Sequence, residues 1–538
     1  MAPGKPKALL KQARGKKKKE QILNDADDFL AAAIENEDAV GKHRGGDPMK
    51  SLRFARRALE LYSQGLTSYP QNFDLAYNKA RLELEIATHP ALVKHLDVPV
   101  NEILQQALSS HYYALGLDPN NADLLFNASQ VLTTIAEQVA KDDSISDVEA
   151  ARYLQQALEY QSRCLEIQEL KFTESRVQHE QALQQGTDEE DDDGGAKLDV
   201  GTRSAFEDKE EEEQWVSIVE PVTADTLVDT VLAQLGTLTT LCSIITSMSS
   251  SDTSLTPVVA PAWIESYGTK VIDGALTNIL TTSRTELQPR AREINLAKAI
   301  FSSALYEMAY RSQSIDIQVY KENIGTAFAS RELDSDMSAL VAHSRALIAL
   351  NSAIAETSIT VSASTSADPY FHANVRWASL SEAQSLLTAA SKISPDDATL
   401  TAATHALRGD ISLLLIALSD APISHPQAIS NRTQLFRNAE VFYRNATKLF
   451  NSLEADEEND KERYQFRGGV VRVLQELEKS GSESTSTGAL VEADAQAVSS
   501  IQTILRDASK SRDDVWRREH LEEMVDEGLV RGELFGIS

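Results

Sequence analysis

The sequence predicts an all-α protein: a solenoid of repeated helix–turn–helix units with a disordered acidic insertion. Small and apolar residues recur at three- and four-residue spacing, as on one face of an α-helix. Prolines separate neighbouring helical segments by short turns, and similar pairs of segments recur along the 538 residues. A single pair of helices cannot bury both of its faces, so such pairs are expected to stack.

Residues 58–87 contain the clearest pair of helices. Tyr69-Pro70 is expected to end the first helix, because the residue before a proline is disfavoured in helical geometry. Asn72 or Asp74 is expected to begin the second helix, because such side chains accept hydrogen bonds from free amides. The two stripes comprise Ala58, Leu61, Tyr62, Gly65 and Leu66, then Leu75, Ala76, Lys79, Ala80 and Leu82.

Later segments repeat parts of this pattern. Residues 107–136 repeat both helices, and Pro119 stands 49 residues after Pro70. Ala80 and Ala128, in the second helices of these two pairs, are expected to lie in helix–helix seams. The further copies are 157–169 with Glu169 in the proline position, 221–235 beginning at Pro221, and 383–407 with a turn at Pro395. Residues 170–185 are expected to extend the helix that precedes them.

This order of residues resembles the tetratricopeptide repeat: an alanine, an aromatic residue, a small residue, an Asp-Pro or similar turn, and an asparagine in a second helix. The resemblance covers about residues 50–170 and 221–240 and, less closely, 380–410. It implies helix–turn–helix units stacked into a superhelix. The family period is about 34 residues, so the longer spacing here implies insertions within each unit. The family carries many unrelated binding roles, so the resemblance names no partner.

The charge balance favours a basic partner. Lys and Arg number 52 against 81 Asp and Glu, which gives a formal net charge of −29. A field of this sign repels nucleic acid and anionic lipid and attracts positively charged proteins. The acidic body is therefore predicted not to bind nucleic acid directly.

The sequence shows no sign of a membrane or secreted protein. The longest apolar run, residues 411–418 with Ser412 as its one polar residue, is far shorter than the ~20 residues of a membrane span. The N-terminus lacks the apolar block of a secretory signal. Cys164 and Cys242 occupy apolar helix positions and are interpreted as buried, reduced thiols. We expect no membrane partner and a location in the cytoplasm, the nucleus or both.

Shifts in composition predict five regions. They are a basic disordered tail at 1–26, tetratricopeptide-like repeats at 27–182, an acidic disordered insertion at 183–214, further repeats at 215–453, and an acidic linker with C-terminal capping helices at 454–538. Gly-containing residues 41–48 are expected to form an inserted loop in the first hairpin. Gly528 is expected to end the last helix, whose apolar stripe includes Trp516 and Leu521.

The tail carries eight basic residues among the first twenty, namely Lys5, Lys7, Lys11, Arg14, Lys16, Lys17, Lys18 and Lys19. One interpretation is a nuclear localisation signal or a contact arm for a ribosome or RNA. The other is a tail that only keeps the protein soluble. A third role is autoinhibition, in which the tail occupies the protein's own acidic surface.

The acidic insertion is the predicted client-binding segment. It splits a repeat, between the half that ends at Glu169 and the half that begins at Pro221. A split repeat with acidic tracts is similar to the interrupted tetratricopeptide chaperones of histones, and some escorts of ribosomal proteins also carry such tracts. The alternative is a solvated loop without a partner. The predicted client-binding residues are Asp188, Glu189, Glu190, Asp191, Asp192, Asp193, Glu210, Glu211, Glu212 and Glu213.

Motifs for catalysis or cofactor binding are absent from the sequence. It has no Gly-rich phosphate loop and no cysteine pair with metal or redox spacing. His89 and His95 lie six residues apart and therefore do not share a helix face as two zinc ligands would. We expect no enzymatic activity, no metal and no cofactor.

The clamp that some tetratricopeptide proteins use to hold the carboxylates of heat-shock chaperones is also not expected. Asn78 with Lys79 resembles one part of that pattern. The next inner helix has no basic residue and carries Asp123, which would repel a carboxylate ligand. In the simpler interpretation, Asn78 and Asn127 bond to neighbouring backbone.

The predicted inner groove is lined by residues from the second helix of each hairpin: Tyr77, Asn78, Phe126, Asn127 and Asp229. Together with the acidic insertion, this groove predicts a chaperone or escort for a basic client, either a ribosomal protein or a histone. The alternative is a structural scaffold or adaptor subunit of a multi-protein assembly.

Overall fold

The computed structural model describes residues 23–139, 146–186, 222–248, 261–361, 369–393, 398–450, 458–483, 512–535 and 537. Every regular element among these residues is a helix, so the predicted all-α fold is confirmed. Neighbouring helices pack as hairpins in series, which is the helical repeat architecture that the sequence predicts. The basic residues of the tail and the predicted client-binding carboxylates lie outside the described residues. The five region boundaries stay predictions.

The chain divides into two compact units, which are called unit 1 and unit 2. Unit 1 consists of residues 1–144 and 159–167, and unit 2 of residues 145–158 and 168–538. The helices of unit 1 are α1 (Ala26–Arg44), α2 (Pro48–Ser68), α3 (Phe73–Thr88), the single turn α4 (Pro90–Val93), α5 (Val100–Leu117), α6 (Ala122–Val139) and the middle of α7 (Asp147–Gly186).

Unit 2 contains the rest of α7 and a longer series of helices. They are α8 (Ala224–Ser247), α9 (Pro261–Thr269), a π-helix (Lys270–Leu276), α10 (Thr277–Thr282), α11 (Ala291–Arg311), α12 (Ile317–Ala327), α13 (Met337–Val361), α14 (Pro369–Ala390), α15 (Ala398–Ala417), α16 (Pro426–Phe450), α17 (Glu458–Glu483) and α18 (Asp514–Asp526). The most extensive contacts are those of α13 with α14 and of α15 with α16. Pro395, the predicted turn of the last repeat, lies between α14 and α15 and outside the described residues.

Local sequence explains how α2 ends and α3 begins. α2 ends before Tyr69, the residue that precedes Pro70. The Asn72 side chain then caps α3 by accepting a hydrogen bond from the Leu75 amide at 2.9 Å. The predicted turn and the predicted cap are both confirmed.

The predicted inserted loop at 41–48 is wrong over most of its length. α1 continues through Arg44 and α2 begins at Pro48, which leaves only residues 45–47 between the two helices. Lys42, His43 and Arg44 lie in the last turn of α1, where positive charge is stabilised by the helix dipole. The glycines at 45 and 46 therefore form a short turn rather than part of a long loop.

The hairpins of unit 1 pair differently from the prediction. α1 packs most extensively against α2, and α3 packs most extensively against α5, while α2 and α3 share a smaller contact. The turn at Tyr69-Pro70 therefore joins one hairpin to the next. The complementary surfaces of two helices decide which pair packs more closely, and the turn between them does not.

Glu169 stands in the proline position of a repeat, yet the helix that contains it extends through residues 170–185, as predicted. α7 runs without a break from Asp147 to Gly186, so it passes Glu169 and reaches the first residues of the region predicted as the acidic insertion. Glutamate keeps its backbone amide and has a high helix propensity, whereas a proline would have ended the helix. The extension of this helix past Glu169 agrees with the sequence of residues 170–185.

Small residues allow the helices of unit 1 to approach closely. Ala80 and Ala128 are both fully buried, as expected for helix seams. A Cβ atom on Gly65 would lie 2.8 Å from Leu75 and 3.0 Å from Phe29, so only glycine fits where α1, α2 and α3 meet.

Two described helices of unit 2 are long and apolar enough to cross a membrane by length and composition. They are Ala224–Ser247 and Met337–Thr357, with 56% and 61% of their most apolar windows buried against the rest of the protein. The core helices of a packed protein have the same properties, so this observation is weak evidence for a membrane. The sequence interpretation considered only pure apolar runs and missed both helices, because Thr, Ser and Gln interrupt them.

Candidate functional site

The structure brings two of the predicted groove residues together in unit 1. Tyr77 on α3 is half-buried and shares a hydrogen bond with Asn127 on α6. Burial raises the pKa of Tyr77, and the nearby Asp123 carboxylate raises it further. The positive charge of Arg81 and the Asn127 hydrogen bond oppose that rise in the pKa. Tyr77 is therefore a neutral phenol at the junction of two helices.

Asn78 and Phe126 have mainly structural contacts. The Asn78 side chain donates a hydrogen bond to the Asp74 carbonyl of its own helix at 2.8 Å, as the simpler interpretation expects. Phe126 packs beside a small buried cluster that contains Leu125 and Cys164. Lys79, the possible clamp residue, lies 3.8 Å from the Glu83 carboxylate.

Asp229 belongs to unit 2, and its carboxylate already forms an ion pair with a cationic side chain. Arg290 lies 2.7 Å from Asp229 and also pairs with Asp225 at 3.6 Å and Glu293 at 2.9 Å. The hydrogen bonds that Arg290 donates to Glu293 and Asp229 raise its pKa. Asp229 thus helps to join the beginnings of α8 and α11, which the repeat pattern did not indicate.

A charged network across α1, α2 and α3 is the feature of unit 1 that the sequence interpretation missed. Glu37 of α1 accepts hydrogen bonds from the Tyr62 phenol and the Arg81 guanidinium. Glu85 of α3 pairs with Arg44 at the end of α1 and lies 3.6 Å from Arg81. The partners on different helices lie 25 to 44 residues apart in sequence. No spacing rule within one helix could therefore have found them.

A cavity of about 340 Å³ opens between α2, α3 and α5 of unit 1. Its lining is rich in hydroxyl groups and includes one cation: Ser63, Leu66, Thr67, Ala76, Lys79, Ser109, Ser110 and Tyr113. Two of these lining residues, Lys79 and Ser110, contact Glu83, whose side chain is 1% exposed and does not itself line the cavity. Burial raises the pKa of Glu83 despite the opposing effects of Ser110, Lys79 and Gln106.

Unit 2 has a cavity of about 440 Å³ with a different character. Its wall consists mainly of small and apolar side chains from α11 and α13, including Leu296, Ile300, Val341 and Ala346. Two opposite charges, Glu307 and Arg345, also line it. This surface suits an apolar segment of a partner better than a strongly charged one.

Neither a metal site nor a reactive thiol is found in the part of the chain that the structure describes. No group of three or more His, Cys, Asp or Glu side chains among those residues could hold a metal ion. Cys164 and Cys242 are buried and form no disulfide bond, which agrees with their interpretation as buried thiols. Burial raises the pKa of Cys242 to about 12, so its reactive thiolate is scarce at neutral pH.

Comparison with known proteins identifies a relative by sequence. No family model matches this chain. The UPF0656 protein C926.02 of Schizosaccharomyces pombe is 33% identical over 176 residues. The match covers 33% of this chain and 37% of the relative, so the chain spans well under half the length of that protein.

Two solved structures are similar with low TM-scores. A circular tandem repeat protein with novel repeat topology and enhanced subunit contact surfaces is 14% identical, with 94% of this chain and 100% of that chain covered and a TM-score of 0.25. Yeast Tom70 is 11% identical, with 92% and 99% covered and a TM-score of 0.14. The helices and contacts described above carry the fold assignment, and they define an α-helical repeat protein.

Proposed function

We propose that the protein is a non-enzymatic chaperone or escort that binds a basic client protein, either a ribosomal protein or a histone. The observation that carries the proposal is the net charge of −29, with ten carboxylates concentrated at 188–193 and 210–213. Dense negative charge raises the capture rate of a positively charged partner and shields its charge. Helical repeats add an extended surface on which such a partner can lie.

In this proposal, the described part of unit 1 holds a bound client in place, and it contributes less to the first electrostatic attraction of the client. Glu37 and Glu85 share Arg44 and Arg81, so this network is close to neutral and its side chains are held by mutual contacts. Asp123 is exposed beside the Tyr77 and Asn127 pair. In the proposed function the acidic insertion attracts the client and the helical face orders it.

Neutralising the acidic insertion tests this function. The variant replaces the ten carboxylates at 188–193 and 210–213 with Asn or Gln, which keeps the chain length and removes only charge. Its affinity for purified core histones and for a basic ribosomal protein is compared with that of the unchanged chain at low and high salt. We expect a loss of affinity of about tenfold or more at low salt and a weaker dependence on salt. Unchanged affinity for both classes would rule out the escort function.

A structural scaffold or adaptor is the second candidate, and the apolar cavity of unit 2 favours it. Leu296, Ile300 and Val341 offer a surface for an apolar segment and do not need a basic partner. Affinity purification with mass spectrometry separates the two candidates. A scaffold keeps the same stoichiometric partners after the insertion is neutralised, whereas an escort loses its basic client.

A further inference from the structure

We propose that the cavity between α2, α3 and α5 of unit 1 binds an arginine side chain of the client, with Glu83 as the counter-charge. The proposal rests on the proposed function, because it names the place where a basic client is recognised. It depends on the described residues of unit 1 alone and not on the acidic insertion.

Glu83 is a buried carboxylate, and one of its two oxygen atoms has no hydrogen-bond partner among the described residues. Its Oε1 atom accepts a hydrogen bond from Gln106 at 2.9 Å, and the Lys79 ammonium lies 3.8 Å from the same atom. The Oε2 atom is buried and has no hydrogen-bond partner among the described residues. An unpaired buried carboxylate oxygen is costly, and a guanidinium can satisfy it because it presents several N–H groups in one plane.

Two lining residues connect the cavity to this carboxylate. Lys79 and Ser110 both line the cavity and both act on Glu83. Lys79 is a long, flexible side chain that is 22% exposed, and its contact with Glu83 is longer than a hydrogen bond. The Lys79 side chain can therefore rotate so that its ammonium faces water, which leaves space for the arginine side chain of a client. The cavity of about 340 Å³ is within the range of small ligand sites.

The other lining groups suit a guanidinium. Ser63, Thr67 and Ser109 carry hydroxyl oxygens that accept hydrogen bonds from N–H groups. The Tyr113 ring is 44% exposed, and its phenol donates to the Pro70 carbonyl, which holds the ring at the cavity. A weakly hydrated guanidinium stacks on such a ring more readily than an ammonium does. A guest carboxylate would be repelled by Glu83.

A peptide pair tests the site on the full chain. The probes are acetyl-Gly-Gly-Arg-Gly-Gly-amide and the same peptide with citrulline, which has nearly the same shape but no charge. Affinities are measured by NMR titration or calorimetry. We expect the arginine peptide to bind about tenfold or more tightly than the citrulline peptide, because a hydrogen bond to a charged group changes affinity by about this factor. Equal affinity of the two peptides would overturn the proposal without requiring any variant to fold.

Three substitutions on α3 sharpen the test. Glu83→Gln should abolish the preference for arginine over citrulline. Lys79→Ala should tighten arginine binding, because it removes the competing cation. Asp74→Asn is the matched control, since Asp74 lies exposed in the first turn of the same helix and away from the cavity lining, and it should leave peptide binding unchanged. An unaltered preference in the Glu83 variant, or weaker binding in the Lys79 variant, would contradict the site.

The result can be separated from that of the proposed function. The chain with a neutralised insertion should still bind the arginine peptide, because the cavity is built from other residues. If that variant loses the client but keeps the peptide preference, both proposals stand. If the client needs no acidic insertion while the peptide preference holds, the escort function fails and the arginine site remains.

Discussion

The phenol of Tyr443 donates a hydrogen bond to the Asp410 carboxylate at 2.5 Å, and the Arg467 guanidinium lies 2.7 Å from the same oxygen. Tyr443 is fully buried, and the Arg467 side chain is 4% exposed. Burial raises the pKa of Tyr443 strongly, and the Asp410 charge adds to the rise. Glu527, just after α18, lies 2.7 Å from the other end of Arg467. The network thereby joins α15, α16, α17 and the end of α18.

Replacing Arg467 with Met tests this network. The substitution leaves the Asp410 carboxylate, which is only 14% exposed, beside Tyr443 without a cation, so we expect unit 2 to lose about 3–5 kcal/mol of stability. Urea unfolding of the full chain, followed by tryptophan fluorescence, measures the loss. Arg518→Met is the control, because Arg518 is exposed and pairs only within its own helix with Glu522. The control should change stability by less than about 0.5 kcal/mol, and a similarly small effect at Arg467 would show that the network is not stabilising.

Gly409 should not tolerate alanine. A Cβ atom at this position would lie 2.8 Å from the Tyr443 ring, so Gly409→Ala forces the ring or the helix to shift and should cost about 1–3 kcal/mol. Gly236→Ala, in the exposed face of α8, has open space around the new atom and should instead gain up to about 1 kcal/mol. Thermal unfolding of both variants shows whether each substitution lowers or raises the stability of the protein. A stabilised Gly409 variant would mean that α15 and α16 pack more loosely than the structure shows.

Glu83 should make stability rise as pH falls. Burial raises its pKa in the folded protein above the unfolded value, so the folded state binds the proton more tightly. Stability from this group is therefore lowest above the folded pKa, increases as pH falls through it, and is complete below the unfolded value. Glu83→Gln removes this dependence and should be at least as stable as the unchanged chain at pH 7. Urea unfolding at several pH values measures both effects, and a Gln variant that is clearly weaker at pH 7 would contradict this prediction.

Removing the basic residues 1–20 should tighten the binding of a basic client at low salt. Eight positive charges compete with the client for the carboxylates of the chain, and exposed pairs of this kind are screened beyond about 8 Å at physiological salt. The gain should therefore fade as salt rises, which a titration with core histones at two salt concentrations measures. Weaker binding after truncation would identify the tail as a contact arm. Unchanged binding with loss of nuclear entry would identify it as a localisation signal.

The residues at which individual helices begin and end could be predicted from the sequence wherever a local chemical signal marks them. The end of α2 before Tyr69-Pro70, the Asn72 cap and the end of α18 at Gly528, whose φ is 70°, all depend on neighbouring residues alone. The same holds for the seam residues Ala80 and Ala128, because helical spacing identifies a small-residue face. The local signal was misleading at residues 41–48, where the glycines predicted a long loop but α1 continues through Arg44.

The tertiary structure alone decided which helices pair and which charges meet. Nothing near Tyr69 in the sequence states that α2 packs more closely on α1 than on α3. The sequence predicted Tyr77, Asn127 and Asp229 in one groove, but it could not show that Asp229 lies in unit 2 and pairs there with Arg290. It also gave no sign that Glu83 is buried beside a cavity, or that Asp410, Tyr443 and Arg467 form one network. Helix starts and ends depend on bonds between residues a few positions apart, whereas burial and ion pairing depend on surfaces that folding brings together.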